Sequence, residues 1–143
     1  MSVDSLRIYH MAADLADSIA REVIQWEPFH QRTLGDQIVR AADSVSNNIS
    51  EGYGRTSIGE RLQFYMYAEG SVQETRNCLE RAVNRGLIDV DEYQRLRQLC
   101  RLLSIGIVEF AHAQLQREPD YKGPFRERIA KRREWLVKRR RKD

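Results

Sequence analysis

The stretch TLGDQIVRAADSVSNNISEGYGRTSIGERL, residues 33–62, decides the fold. Leu34, Ile38, Ala41, Val45 and Ile49 step by three or four, the spacing of one buried helical face. Thr33, with an acid at Asp36, predicts the start of this helix as a weak capping box. Glu51-Gly-Tyr-Gly-Arg55 then interrupts the pattern, because each glycine inside a helix costs roughly 1 kcal/mol. Thr56 or Ser57, with Glu60 placed to return the capping bond, opens the next helix. Two helices joined by so short a turn must lie antiparallel.

The same reading extends in both directions. Upstream, Ile8, Ala12, Leu15, Ile19, Val23 and Trp26 predict a first helix from about Asp4, its N-cap, to Glu27-Pro28. Downstream, the third helix carries Leu62, Tyr65, Val72, Leu79 and Val83 and stops at Asn84-Arg85-Gly86, a glycine C-cap signature. Asp89 with Glu92 opens a fourth, with Tyr93, Leu96, Cys100, Leu103, Ile107 and Phe110, ended by Pro119. The expected fold is therefore all-α, an antiparallel up-down four-helix bundle over residues 1–118, followed by a basic C-terminal extension over residues 119–143.

Charge divides the chain at the same place. Residues 1–117 hold 13 Arg, no Lys and 16 acids, a net −3, whereas residues 118–143 are net +6, within an overall +3. Such clustering can neutralise phosphates. The candidate nucleic-acid-binding residues are Arg126, Arg128, Lys131, Arg132, Arg133, Lys138, Arg139, Arg140, Arg141 and Lys142, with Phe125 and Trp135 available to stack on bases. Competing readings of the tail are a solvated terminus or a membrane-surface helix using Ile129, Trp135, Leu136 and Val137.

Two helices are apolar over more than one face. The third reads Leu62, Phe64, Tyr65, Met66, Tyr67, Ala68, and the fourth Leu102, Leu103, Ile105, Ile107, Val108, Phe110. One stripe of about 100° suffices for an isolated bundle, so the surplus predicts self-association through Phe64, Tyr67, Ile105 and Val108, the alternative being edge aromatics shielding a monomer's core. The second helix carries a polar row, Arg40, Ser44, Asn48, Glu51 and Arg55. Antiparallel pairing sets Gly70, Ser71 and Glu74 opposite it, with Gly70 allowing close backbone approach. This row is expected to be a structural network fixing register, with Arg40 paired to Glu74, rather than a binding strip.

Little points to catalysis, and no enzyme, cofactor or metal is expected. His10, His30 and His112 are scattered, and neither a phosphate loop nor a nucleophile elbow occurs. Glu69 and Glu74 are five apart, off a common face, which argues against paired acid–base carboxylates. Cys78 and Cys100 suit buried apolar positions. The N-terminus lacks a cationic leader with an apolar block, and no run reaches the roughly 18–20 apolar residues of a membrane span. A cytoplasmic location is expected.

The run Arg40-Ala-Ala-Asp-Ser-Val-Ser-Asn-Asn-Ile-Ser-Glu-Gly-Tyr-Gly-Arg55 resembles the signature of a bacterial four-helix-bundle family. That family comprises proteins encoded in intervening sequences of large-subunit ribosomal RNA genes, related to accessory variability proteins of diversity-generating retroelements. Phe64, Gly70-Ser71 and Glu74 resemble its second motif, and Tyr9, Ala13 and Leu15 its first helix. The resemblance implies a homo-oligomer, a pentameric barrel, and in the retroelement branch a nucleic-acid-binding partner of a reverse transcriptase. It implies no catalytic residues. The relatives that bind through their barrel have a basic surface, whereas this body is mildly acidic, so the tail is expected to carry the contacts. The competing function is a protein–protein adaptor that assembles a partner enzyme.

Overall fold

The computed structural model describes residues 2–142, with side chains as far as Arg139. It is all-helical: α1 (Val3–Val23), α2 (Pro28–His30), a π-turn (Gln31–Gly35), α3 (Asp36–Tyr53), α4 (Ile58–Asn84), α5 (Val90–Gln116) and α6 (Phe125–Lys142). Among the described residues there is no strand.

The four predicted bundle helices are α1, α3, α4 and α5. Adjacent pairs α1–α3, α3–α4, α4–α5 and α5–α1 pack side by side and close the ring. Paired contacts give the directions. Ser44 meets Ser71 (Oγ–Oγ 2.9 Å), and Gly52 lies against the Tyr65 ring, so α3 and α4 are antiparallel. Gln73 Nε2 donates to Ser104 Oγ (2.8 Å) between α4 and α5. Arg95 Nη2 donates to Ser18 Oγ (2.9 Å) between α5 and α1. The stripes read from the sequence form one core, in which Leu15, Val45, Ile49, Leu62, Tyr65, Val72, Leu96, Leu103 and Ile107 have no exposed surface. Cys78 and Cys100 are free thiols within it.

Helix boundaries differ in places for local reasons. Ser2, not Asp4, caps α1, its Oγ accepting from Ser5 N (3.1 Å). Pro28 starts a helical turn as an N1 proline, and the backbone stays helical through the π-turn into α3. Thr33 is therefore no cap; its hydroxyl bonds back to the Phe29 carbonyl (2.9 Å). Ser57 caps α4 on Glu60 N (3.2 Å) and Gly86, at φ 70°, closes it, both as the sequence implies.

The larger difference is α6. The basic extension is no solvated terminus: α6 lies in the groove between α4 and α5. Arg132 meets Glu69 and Arg133 meets Glu109, while Arg139 lies beside Arg76 and Arg101, so α6 runs parallel to α4 and antiparallel to α5. Ile129 is completely buried, and Phe125 and Leu136 pack against the core. The sequence hid this because one deeply buried residue per few turns gives no visible stripe among so many cations.

Candidate nucleic-acid interface

The α6 helix starts after a turn that Arg126 closes, Nη2 donating to the carbonyls of Glu118 (2.7 Å) and Tyr121 (3.1 Å). Its anchor is a polar clasp. Glu69 is only 7% exposed, and its carboxylate accepts from Arg132 Nη2 (2.6 Å), Arg132 Nε (2.7 Å) and Gln73 Nε2 (3.2 Å). Gln73 extends the clasp to Ser104 on α5. Glu69 stands at a core-facing position between Tyr65 and Val72, and an acid on an apolar stripe is the signal that could have found it.

The ten candidate cations divide by environment. Arg132 and Arg133 are held by bundle carboxylates, the second in an exposed pair (2.8 Å). Lys131 and Lys138 pair within α6 with Glu127 (2.8 Å) and Glu134 (2.9 Å). Arg126 is committed to the turn and Arg128 lies over Phe125 (5.6 Å). Trp135 lies within cation–π distance of Arg132 (4.4 Å) and Arg139 (5.0 Å), so those guanidiniums already attend its ring. Arg140, Arg141 and Lys142 lie outside the described side chains. Ile129 and Leu136 turn inward, which removes them from any membrane-facing surface.

Arg139 points to a feature the sequence did not assemble. It gathers with Arg76 of α4 and Arg97 and Arg101 of α5. Burial first, then the charges of Arg139 and Arg97, hold the Arg76 pKa below its usual value. Beside Arg76, a cleft of about 220 Å³ is lined by Gln94, Arg97, Gln98 and Arg101, with no acid among its described lining residues. These residues come from the region taken as the acidic body. Net charge over the segment concealed a local cluster that packing creates.

The polar row of α3 is only partly a network. Asn48 Nδ2 donates to Ser44 Oγ and O (both 2.8 Å), and Ser44 meets Ser71 across to α4. Glu51 pairs with Arg55 (3.1 Å), and Arg55 also lies over Phe64 (4.8 Å). The expected Arg40–Glu74 pair is absent. Arg40 bonds Asp36 on its own helix (3.0 Å), its side chain 79% exposed, so one-turn reach within α3 wins over the cross-helix contact. Glu74 is exposed, and Gly70 faces open space. The close approach falls instead at Gly52, where a Cβ would come within 2.7 Å of Tyr65.

Of the four expected interface residues, Val108 is in the core, with no exposed surface. Ile105 is half-buried beside Trp135 and Leu136 of α6, so the chain itself covers part of the surplus apolar face of α5. Phe64 is half-buried against Tyr67 (5.9 Å), which is 52% exposed. An open cleft remains between α1 and α5, lined by Ile8, Met11, Leu102, Ile105 and Phe110, with Leu102 43% exposed. Among the described residues no helix is long and apolar enough to cross a membrane, and no three His, Cys, Asp or Glu side chains gather as a metal site.

The profile of a family described as "23S rRNA-intervening sequence protein" matches residues 4–108. A solved structure from Bacteroides thetaiotaomicron, described as a protein with unknown function from the S23 ribosomal protein family, has the same fold. It superposes with a TM-score of 0.68 at 16% identity, over 76% of this chain and 98% of its own. No curated protein matches.

Proposed function

The chain belongs to the 23S rRNA-intervening sequence protein family, and from that premise we propose that it is a non-catalytic RNA-binding protein. Its contact face is the arginine cluster where α4, α5 and α6 meet. The observation that carries this reading is Arg76, Arg97 and Arg139 gathered from three helices beside a cleft with no acid among its described lining residues. Cations held together repel one another, and phosphates laid across them would relieve that repulsion and release counterions. Gln94 and Gln98 supply hydrogen-bonding groups beside the charges. The Lys131 and Lys138 pairs are exposed, so phosphate can compete for them at small cost.

The test is fluorescence anisotropy with structured RNA across a salt series. The triple variant Arg76→Gln/Arg97→Gln/Arg139→Gln should weaken binding at least tenfold. Losing three phosphate contacts should flatten the log–log salt slope by about 2–3. Arg40→Gln, on α3, should change neither. Equal binding by the triple variant would remove this face from the interface.

The open α1–α5 cleft favours a second reading, an oligomeric adaptor that presents its helices to a partner such as a reverse transcriptase. Absence of RNA and DNA binding by the full chain at low salt, with self-association retained, would favour it.

A further inference from the structure

The Glu51–Arg55 turn packs beside a second cleft, away from the arginine cluster. It measures about 330 Å³ and is lined by Tyr53, Arg61, Tyr65, Gln114, Arg117 and Glu118. Tyr53 closes α3, Arg61 and Tyr65 lie one turn apart on α4, and the others come from the end of α5 and just beyond. Arg61 is 15 residues from Arg76 on α4, roughly 22 Å at the helical rise.

Two donors here are buried without a hydrogen-bond partner: the Tyr65 hydroxyl and Arg61 Nε. Tyr65 has no exposed surface. Its ring is fixed by Phe110 edge-to-face at 5.2 Å and by Gly52, so the hydroxyl is held where it is. Burial pushes the Tyr65 phenol up to about 12, against the opposing charge of Arg61, which keeps the hydroxyl a donor at neutral pH. Buried donors are almost always paired, so two orphans in one cleft point to a missing acceptor. The one acid in the wall, Glu118, approaches Arg61 Nη2 only to 3.8 Å and is 48% exposed. That is longer than a charge-assisted hydrogen bond.

We propose that this cleft binds a phosphate monoester, its oxyanion accepting from the Tyr65 hydroxyl, Arg61 and Arg117 while Glu118 turns to solvent. The donors reach the cleft from two sides, Tyr65 and Arg61 from α4 and Arg117 from the end of α5, which suits a tetrahedral oxyanion better than a planar carboxylate. Its volume is several times that of a water's share of the liquid, about 30 Å³, leaving space for the ester group. The guanidiniums also offset the partial negative charge of the α3 and α5 C-termini at this end of the bundle.

The experiment titrates full-length protein with inorganic phosphate and with adenosine 5′-monophosphate by calorimetry. The monophosphate should bind, and Tyr65→Phe should weaken it at least tenfold while leaving the fold intact, since the hydroxyl bonds no protein group. Arg61→Gln should abolish binding, and Glu118→Gln should tighten it severalfold by removing the competing carboxylate. Equal affinities for parent and Tyr65→Phe, or no binding at millimolar monophosphate, would overturn the proposal. A 5′-phosphorylated RNA binding better than its 5′-hydroxyl twin would make an RNA end the source of the phosphate. Indifference between the two, with monophosphate binding retained, would make it a free nucleotide.

Discussion

Gly52 and Gly54 stand one residue apart yet act differently. A methyl group at Gly52 would meet the Tyr65 ring at 2.7 Å, whereas at Gly54 the nearest atom is 3.7 Å away. Neither has a positive φ, so the turn does not require glycine conformationally. Gly52→Ala should therefore cost about 1–3 kcal/mol by overpacking, and Gly54→Ala should be neutral or slightly stabilising, as urea unfolding will measure. Arg40, so exposed, should tolerate Ala within about 1 kcal/mol. Arg132→Ala would strand the buried Glu69 carboxylate and cost at or below the lower end of about 3–5 kcal/mol, since Arg132 keeps 25% exposure. Alkali should also destabilise the fold. Cys100, pushed up from 9.0 to about 12 by burial, stays protonated in the native state while the unfolded thiol ionises. Tyr65 behaves likewise from 10.0 to about 12. The unfolded state then binds fewer protons, so this stability is complete below the unfolded values and is lost as pH rises from about 9 towards 12. Tyr65→Phe with Cys100→Ala should flatten the alkaline limb of a stability–pH profile.

At the scale of elements, α6 is both the most cationic helix and part of the packed structure. Ile129 seals the α4–α5 groove and the Glu69 clasp orients the helix above it. Ile129→Ala should cost about 2–5 kcal/mol. Deleting residues 120–143 should lower the unfolding midpoint and uncover Ile105 and Glu69, rather than leave the bundle untouched. Identical denaturation curves for full-length and truncated chains would show that α6 does not dock in solution. For RNA binding, the consequence is that truncation confounds lost charge with lost packing, so charge-neutralising variants are the cleaner probe. Trp135 and Phe125 looked like stacking platforms in the linear sequence, but each already has an arginine against its ring.

For the whole molecule, the outstanding feature is apolar surface that α6 does not cover, in the cleft between α1 and α5. Self-association through that cleft should give a light-scattering mass several times 16.8 kDa, and Leu102→Glu should lower it. A mass of one chain at every concentration would leave the cleft without a second copy. RNA binding and self-association are separable, since the arginine face lies on the α4 side of α5 and this cleft on its α1 side. Tight RNA binding by a monomeric Leu102→Glu variant would place recognition within one chain.

The sequence by itself determined the bundle, because period and punctuation are local: the stripes of residues 33–62, the Ser57 cap and Gly86 need no distant partner to be recognised. It also located the basic segment, since charge can be counted along a chain. Tertiary structure decided what those charges do. Arg132 and Arg133 look like phosphate ligands until Glu69 and Glu109, 63 and 24 residues away, come within bonding distance. Arg76, Arg97 and Arg101 look like scattered surface cations until α6 brings Arg139 beside them. The reason is range: helix-forming preferences act over three or four residues, whereas ion pairs and like-charge clusters depend on approaches that only packing sets.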